Sequence, residues 1–288
     1  MNELKAVLLV GGEATRLQPL SNNEPKALLP IRQLPIIEYM FEKFVEVGID
    51  NFLLIAADKH REQWENYNNI TNYKVEVFYE KQKYGTAGFI INNLDLFPDI
   101  FICANGDLLM DLNLDFFLDT ISKTEASILS TIEVADPTRF GLVVLDDNNL
   151  VKEFIEKPQD LSLGNTISTG LYFFRLEDLK QFNSVLSKQI SFEKDVFPSL
   201  SKLSLLTNCS LQGELFDVGT RDSYIEANCR DNDYWVHPSA IVHETVQLKQ
   251  SVIMENSEVG ENSLIVNSII SPEVKLEPNS IIEDEIIC

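Results

Sequence analysis

From Val236 onward aliphatic side chains return at a step of six: Val236, Val242, Leu248 and Met254, then Val259 and Ile265 after a one-residue slip, then Ile270, Leu276 and Ile282 after another. An α-helix repeats every ~3.6 residues and a strand every ~2, so neither accounts for this spacing. The pattern predicts a parallel β-helix of hexapeptide repeats. Residues 233–288 are thereby set apart as a second domain behind residues 1–232. An acidic coil surface suits subunit contact better than catalysis, and a homo-oligomer joined through these coils is the expectation.

The preceding part of the chain reads differently. Ala6 to Val10 is a buried strand, Ile36 to Val47 an amphipathic helix stopped by Gly48, and Asn51 to Ala57 the next strand, which together make a βαβ unit. Val75 to Tyr79 and Ile100 to Ala104 continue the strands, with Thr86 to Leu94 helical between them. Such alternation predicts an α/β fold with a mostly parallel sheet flanked by helices on both faces. From Ala126 to Phe174 closely spaced strands suggest an antiparallel extension. Helices are then expected over Leu176 to Ser187, over Phe192 to Leu200 after a Ser191 cap, and over Arg221 to Asp231 after Thr220.

Charge narrows the partners. The formal net charge is −22, which repels nucleic acid and anionic membranes at long range. Residues 1–32 nevertheless sum to +1, so the acidic chain starts with a cationic segment and a local anion site. No apolar run near the amino end is long enough for a secretory core or a membrane span, and the expected location is cytoplasmic. Cys103, Cys209, Cys229 and Cys288 form no CxxC pair, which fits neither a disulfide framework nor a zinc site. His237 and His243 are read as surface positions.

The chemistry concentrates in Leu8 to Ile31, LLVGGEATRLQPLSNNEPKALLPI. This is neither GxGxxG nor GxxxxGK[ST], so dinucleotide and ordinary ATPase readings lose their usual support. A strand instead feeds Gly11 and Gly12, followed by fixed charges at Arg16 and at Lys26 behind Pro25. Backbone N–H groups with two cations form a cradle for a polyphosphate, and ligands of open α/β sheets sit beyond the carboxyl ends of strands. Asn105, Gly106 and Asp107 fall at a second such end.

With these residues in this order the chain resembles the sugar-1-phosphate nucleotidylyltransferases, whose signature is GGxGTRLxPLTxxxPKxLLPI. EKQKYGTAG at Glu80 to Gly88 is similar to the family's base-side loop, and its GTAG is most similar to the mannose-1-phosphate guanylyltransferase branch. NGD at Asn105 to Asp107 resembles the metal-binding element, FIEKP at Phe154 to Pro158 the sugar-side element, and FDVGT at Phe216 to Thr220 the second metal element. The resemblance implies a Rossmann-like catalytic domain, about three coils of left-handed β-helix, and transfer of a nucleotidyl group from a nucleoside triphosphate, GTP favoured, to a sugar 1-phosphate, mannose 1-phosphate favoured. Thymidylyl, uridylyl or adenylyl transfer to glucose 1-phosphate remains open, as does a non-catalytic subunit that senses a nucleotide sugar. Acyl transfer by the coils is excluded by their number and by the want of a suitable histidine.

The attacking phosphate oxygen is already anionic, so neither a base nor a covalent nucleophile is required. What is required is alignment and charge compensation, since two unit charges ~4 Å apart repel by about 4 kcal/mol at an effective dielectric of 20. The resemblance implies five catalytic residues: Arg16 at the α-phosphate, Lys26 at the phosphates, Lys157 at the sugar phosphate, and Asp107 and Asp217 holding Mg²⁺, a hard ion suited to oxygen donors. Gly11, Gly12, Glu13, Ala14, Thr15, Asn105 and Gly106 would surround the nucleotide. Gly85, Thr86 and Ala87 would line the base pocket, with Glu80 or Gln82 reading the base edge. Glu156 would accept from sugar hydroxyls, beside Ser168, with Gly141 and Gly170 letting the ring approach. Three positions depart from the family pattern: Ala14 replaces a glycine, Ser168 an asparagine and Phe216 a tryptophan. A Cβ at position 14 would obstruct a positive φ, implying a rearranged loop or reduced activity.

Overall fold

The computed structural model describes residues 4–158, 160–185 and 189–288. The chain forms two compact units: Met1–Gly11, Met40–Gly106 and Met110–Leu215 make the first, while Gly12–Tyr39, Asp107–Leu109 and Phe216–Cys288 make the second. The glycine loop and the Asp107 turn therefore group with the coils, a division that does not follow the linear boundary at 232.

The first unit is built on the mixed sheet. Lys5–Leu9 lies parallel between Asn51–Ala57 and Ile100–Asn105, and Lys74–Glu80 adds parallel to Asn51–Ala57. Beyond Ile100–Asn105 the sheet turns antiparallel through Thr166–Arg175, which pairs with Ser127–Glu133 and, at Ile167, with Gly141–Leu145. Ala6, Val7 and Leu8 are wholly buried, as expected of a central strand covered on both faces. Because Leu9 pairs with Asn105 in parallel register, both strands run out at the same edge. The Gly106 N–H donates to the Leu9 carbonyl at 3.0 Å there. Phe174, Phe192 and Phe197 stack within this core.

Several helices fall where the sequence puts them. Ile36–Glu46 ends before Gly48 at φ 83°, and Thr220 caps Arg221–Asn228 through a reciprocal bond with Ser223. The expected Phe192 to Leu200 helix is two pieces, a π-turn over Phe192–Val196 and an α-helix over Phe197–Lys202, since Pro198 has no N–H to continue the ladder. The expected Thr86 to Leu94 helix shortens to Gly88–Asn92, with a 3₁₀ turn at Leu94–Leu96. The Leu176 to Ser187 helix is α only over Leu176–Leu179 and 3₁₀ over Lys180–Val185, and residues 186–187 of that expectation lie outside the described residues. Helices Arg61–Ile70 and Leu114–Lys123 were not anticipated. The first buries only Trp64 and Tyr67 among polar residues, too little for a clear apolar stripe. The second carries a readable cap, Asn113, whose side chain accepts from the Phe116 N–H at 3.0 Å.

In the second unit the tail forms three parallel faces. Tyr234–Val236, Ser251–Ile253, Ile269–Ile270 and Ile286–Ile287 stack on one, and two further ladders complete the coils. Equivalent residues are 17 positions apart, as in the bond from the Asn256 N–H to Ser239 Oγ. Two steps of six are thus followed by one of five. Ile253, Val259, Ile265 and Ile270 fill the coil interior, with Val236, Val242, Leu248, Leu276, Ile282 and Ile287 packed against them. The slip therefore falls one repeat earlier than the sequence suggested, between Leu248 and Ile253 rather than after Met254: Ile253 points inward, and Met254 packs in a neighbouring cluster. Corners sit at Gln250, Asn256, Asn262, Asn267, Glu273, Asn279 and Asp284, all with positive φ, a conformation that asparagine and aspartate tolerate better than most residues. Val252 and Ile269, on the outside of the first face, join Tyr224, Ile225, Leu17, Leu20, Leu29 and Ile31 in one apolar cluster. The coils are thus the floor on which the amino-terminal loop rests.

Candidate functional site

Within the second unit the loop after Gly12 is anchored by Leu17, which is wholly buried, and by the Ser21 hydroxyl, which donates to the Ala14 carbonyl at 2.8 Å. Pro25 leads into a short 3₁₀ turn that begins at Lys26. The Lys26 side chain is 8% exposed, and its Nζ donates to Asp107 Oδ2 at 2.9 Å and to Asp217 Oδ1 at 3.1 Å. Arg16 Nη2 lies 3.9 Å from the other oxygen, Asp217 Oδ2, with its guanidinium largely open to solvent. Two carboxylates and two cations thus meet from distant segments, Lys26 and Asp217 alone being 191 positions apart.

This donor set fits a divalent cation. A buried ammonium already bridges the two carboxylates, so the geometry accepts positive charge shared by both, and carboxylate oxygens are the ligands Mg²⁺ takes alongside substrate phosphates. Among the described residues no third His, Cys, Asp or Glu completes an all-protein cage, which also suits an ion that keeps several other ligands.

Gly219 belongs to this cluster and sequence reasoning gave it no role. A Cβ there would stand 2.7 Å from Arg16 Nη2 and 2.9 Å from both oxygens of Asp217. The missing side chain is the space through which the guanidinium and carboxylate meet, and the signal was the DVGT motif itself. Ala14 adopts φ 46° and ψ 38° despite its Cβ. The left-handed turn is therefore kept, with strain of about 1 kcal/mol or slightly more. Ala14→Gly removes that strain but loosens the unfolded chain by roughly 0.4–1 kcal/mol. A net gain below about 1 kcal/mol is expected in urea unfolding, and a clear loss of stability would show that the turn is not strained.

The first unit carries the remaining elements. Tyr84 to Ala87 is stitched to the segment after Lys180–Val185: the Ile190 N–H donates to the Tyr84 carbonyl at 2.7 Å and the Ala87 N–H to the Ile190 carbonyl at 3.0 Å. Gly85 turns there at φ 81°. Gln82, Gly85 and Thr86 are exposed. The Thr86 hydroxyl is engaged, donating to Glu193 Oε2 at 2.8 Å and accepting from the Phe192 N–H at 2.9 Å. Ala87 corrects its expectation: it is wholly buried in the hydrophobic core, so its methyl lines no pocket.

Glu80 ends its strand beneath Gly11, where a Cβ would approach Glu80 Oε2 to 3.3 Å. Its Oε1 is buried and has no hydrogen-bond partner, and burial pushes the carboxyl up to about 7 from an ordinary 4.5. The folded state thus favours the protonated form. The stability that this brings is fully present below pH 4.5 and is lost as pH rises through about 7. Glu80→Gln is accordingly expected to melt above the parent protein at about pH 8, with the gap shrinking toward about pH 5. Thermal melts at the two pH values check the sign.

At the sugar-side element, Glu156 and Lys157 pair with each other at 3.3 Å and both are exposed. Lys157 has φ 49°, and its N–H donates to the Phe140 carbonyl at 3.0 Å. Gly141 has a packing reason that the sequence did not reveal: a Cβ there would lie 2.1 Å from the Phe154 ring, so an aromatic ring already takes that space. Ser168 is buried, its Oγ accepting from the Gly170 N–H at 3.3 Å. Gly170, at φ 76°, absorbs the register shift between Ser168 and Tyr172.

Comparisons with known proteins agree with this organisation. The family described as nucleotidyl transferase matches residues 5–233. A protein of Sulfolobus acidocaldarius, provisionally assigned as a mannose-1-phosphate guanyltransferase, is 31% identical over 93% of this chain and 76% of its own length. The mannose-1-phosphate guanylyltransferase of Mycobacterium tuberculosis is 26% identical over 98% of this chain and 84% of its own. The catalytic subunit beta of the Drosophila pseudoobscura enzyme of that name is 30% identical over 79% of this chain, which spans 62% of the fly protein. A crystal structure from Bacillus anthracis, provisionally assigned as a glucose-1-phosphate thymidylyltransferase, shares the fold at a TM-score of 0.71 and 20% identity, over 80% of this chain and 96% of its own. The chain belongs to the nucleotidyl transferase family, in its sugar-1-phosphate branch. No described helix is long and apolar enough to cross a membrane.

Proposed function

We propose that this protein transfers a nucleotidyl group from GTP to mannose 1-phosphate or a similar hexose or heptose 1-phosphate, releasing pyrophosphate. The observation that carries the reading is the meeting of Lys26, Asp107 and Asp217 within 3.1 Å beside Arg16, an arrangement suited to phosphates and a divalent ion and superfluous in a fold that only needed stability. A bound Mg²⁺ would neutralise phosphate charge at Asp107 and Asp217. Arg16, whose guanidinium is largely open to solvent, compensates charge on the α-phosphate and leaving group. Lys26 supplies a point charge to the phosphates, and Lys157 is assigned to the sugar phosphate. No side chain need remove a proton, because the attacking oxygen is already anionic.

Base choice is supported by the names of the relatives. Glu156 is assigned to sugar hydroxyls. Assembly through the coils is supported by Ile241 and Ile281, which are 67% and 70% exposed on their outer faces, and sedimentation would read the subunit number. A matrix of nucleoside triphosphates against sugar 1-phosphates, scored by Mg²⁺-dependent pyrophosphate release, tests the whole reading. GTP with mannose 1-phosphate is expected to give the highest kcat/KM, and nucleotide-sugar binding without turnover in any combination would contradict transfer.

A further inference from the structure

We propose that the Lys26 ammonium occupies the seat of the divalent cation in the substrate-free protein, so that metal enters together with a nucleoside triphosphate whose phosphates take the ammonium over. This rests on the transferase reading above and extends it to the order in which charges are exchanged. Nζ stands 2.9 Å from Asp107 Oδ2 and 3.1 Å from Asp217 Oδ1, and a metal ion shared by those oxygens would need the same ground. A doubly charged ion and an ammonium held to the same pair of oxygens repel each other at contact distance. The lysine side chain is 8% exposed, whereas Asp107 and Asp217 are 35% and 23% exposed, so the ammonium is held at the inner side of the pair and the carboxylates stay reachable from solvent.

The charges nearly cancel as the cluster stands. Asp217 divides its oxygens between Lys26 and Arg16, and Asp107 faces Lys26, so the two carboxylates meet two cations and exert little net pull on a lone metal ion. A triphosphate changes the balance by offering the ammonium an alternative anion. Lysine suits such a transfer: it is a compact point charge on a flexible four-carbon stem, with three donors that impose no fixed plane. Once Nζ turns to phosphate, Asp107 Oδ2 and Asp217 Oδ1 are uncovered for the ion that accompanies the nucleotide. Metal and nucleotide then favour each other's binding by the same factor.

The test is Mn²⁺ binding to the full chain with no nucleotide and no sugar phosphate, read from the spin-resonance signal of the free ion. Lys26→Gln removes the competitor while keeping a polar side chain of similar reach. It is expected to bind Mn²⁺ roughly tenfold or more tightly than the parent protein, because it leaves two carboxylates short of a cation. Lys26→Met gives the same comparison should the glutamine variant not fold, each variant being checked by its melting curve. Asp107→Asn in the Lys26→Gln background is expected to abolish the gain. Equal Mn²⁺ affinity in parent and variant would overturn the proposal, and so would a gain that survives Asp107→Asn. Neither result touches the transferase reading, which stands or falls on pyrophosphate release by the parent protein.

Discussion

Asp217→Asn is expected to lower the rate of pyrophosphate release by about three orders of magnitude, the scale of losing a metal ligand or a principal electrostatic contact at a phosphoryl centre. Asparagine keeps the shape and one acceptor oxygen but removes the charge that faces both Lys26 and Arg16. Folding suffers far less. Lys26 retains Asp107 at 2.9 Å, and losing one partner of a buried, hydrogen-bonded charge costs on the order of 1–3 kcal/mol. Asp107→Asn should act in the same direction. Steady-state assays beside urea unfolding separate the two effects, and near-parental turnover in a folded Asp217→Asn protein would remove this residue from the mechanism.

Gly85→Ala is the second large effect, and it falls on stability. The new Cβ would stand 2.4 Å from the Ile190 carbonyl oxygen, at a backbone φ of 81°. Neither half of the conflict relaxes easily, because Tyr84 and Ala87 are both hydrogen-bonded to Ile190. Left-handed strain and a backbone clash together cost about 2 to 5 kcal/mol. If this loop also holds the base, KM for the nucleoside triphosphate rises more than kcat falls among the molecules that remain folded. An unchanged urea midpoint would mean that the loop is not pinned as described.

Much of the molecule is legible in the residue order because it depends on local pattern. Apolar runs such as Ala6 to Leu8 declare central strands, since a strand covered on both faces admits no polar alternation. Gly48 and Thr220 mark helix ends through backbone chemistry that acts within a few residues. The six-residue step declares the coils because each turn of a parallel β-helix must present an aliphatic side chain inward. Its first slip falls one repeat earlier than the step alone suggests, because Ile253 and Met254 are both apolar and only the packing decides which of them enters the coil.

What the order of residues could not determine is who meets whom. Lys26, Asp107 and Asp217 stand in three distant motifs, and no spacing rule brings them within 3.1 Å; that contact arises only when the segments carrying them fold together in the second unit. The reasons for individual glycines are likewise tertiary. Gly219 makes room for Arg16 and Asp217, whereas Gly141 makes room for the Phe154 ring. Periodicity records what each segment must bury, but the position of a charge relative to another charge is decided by packing between segments.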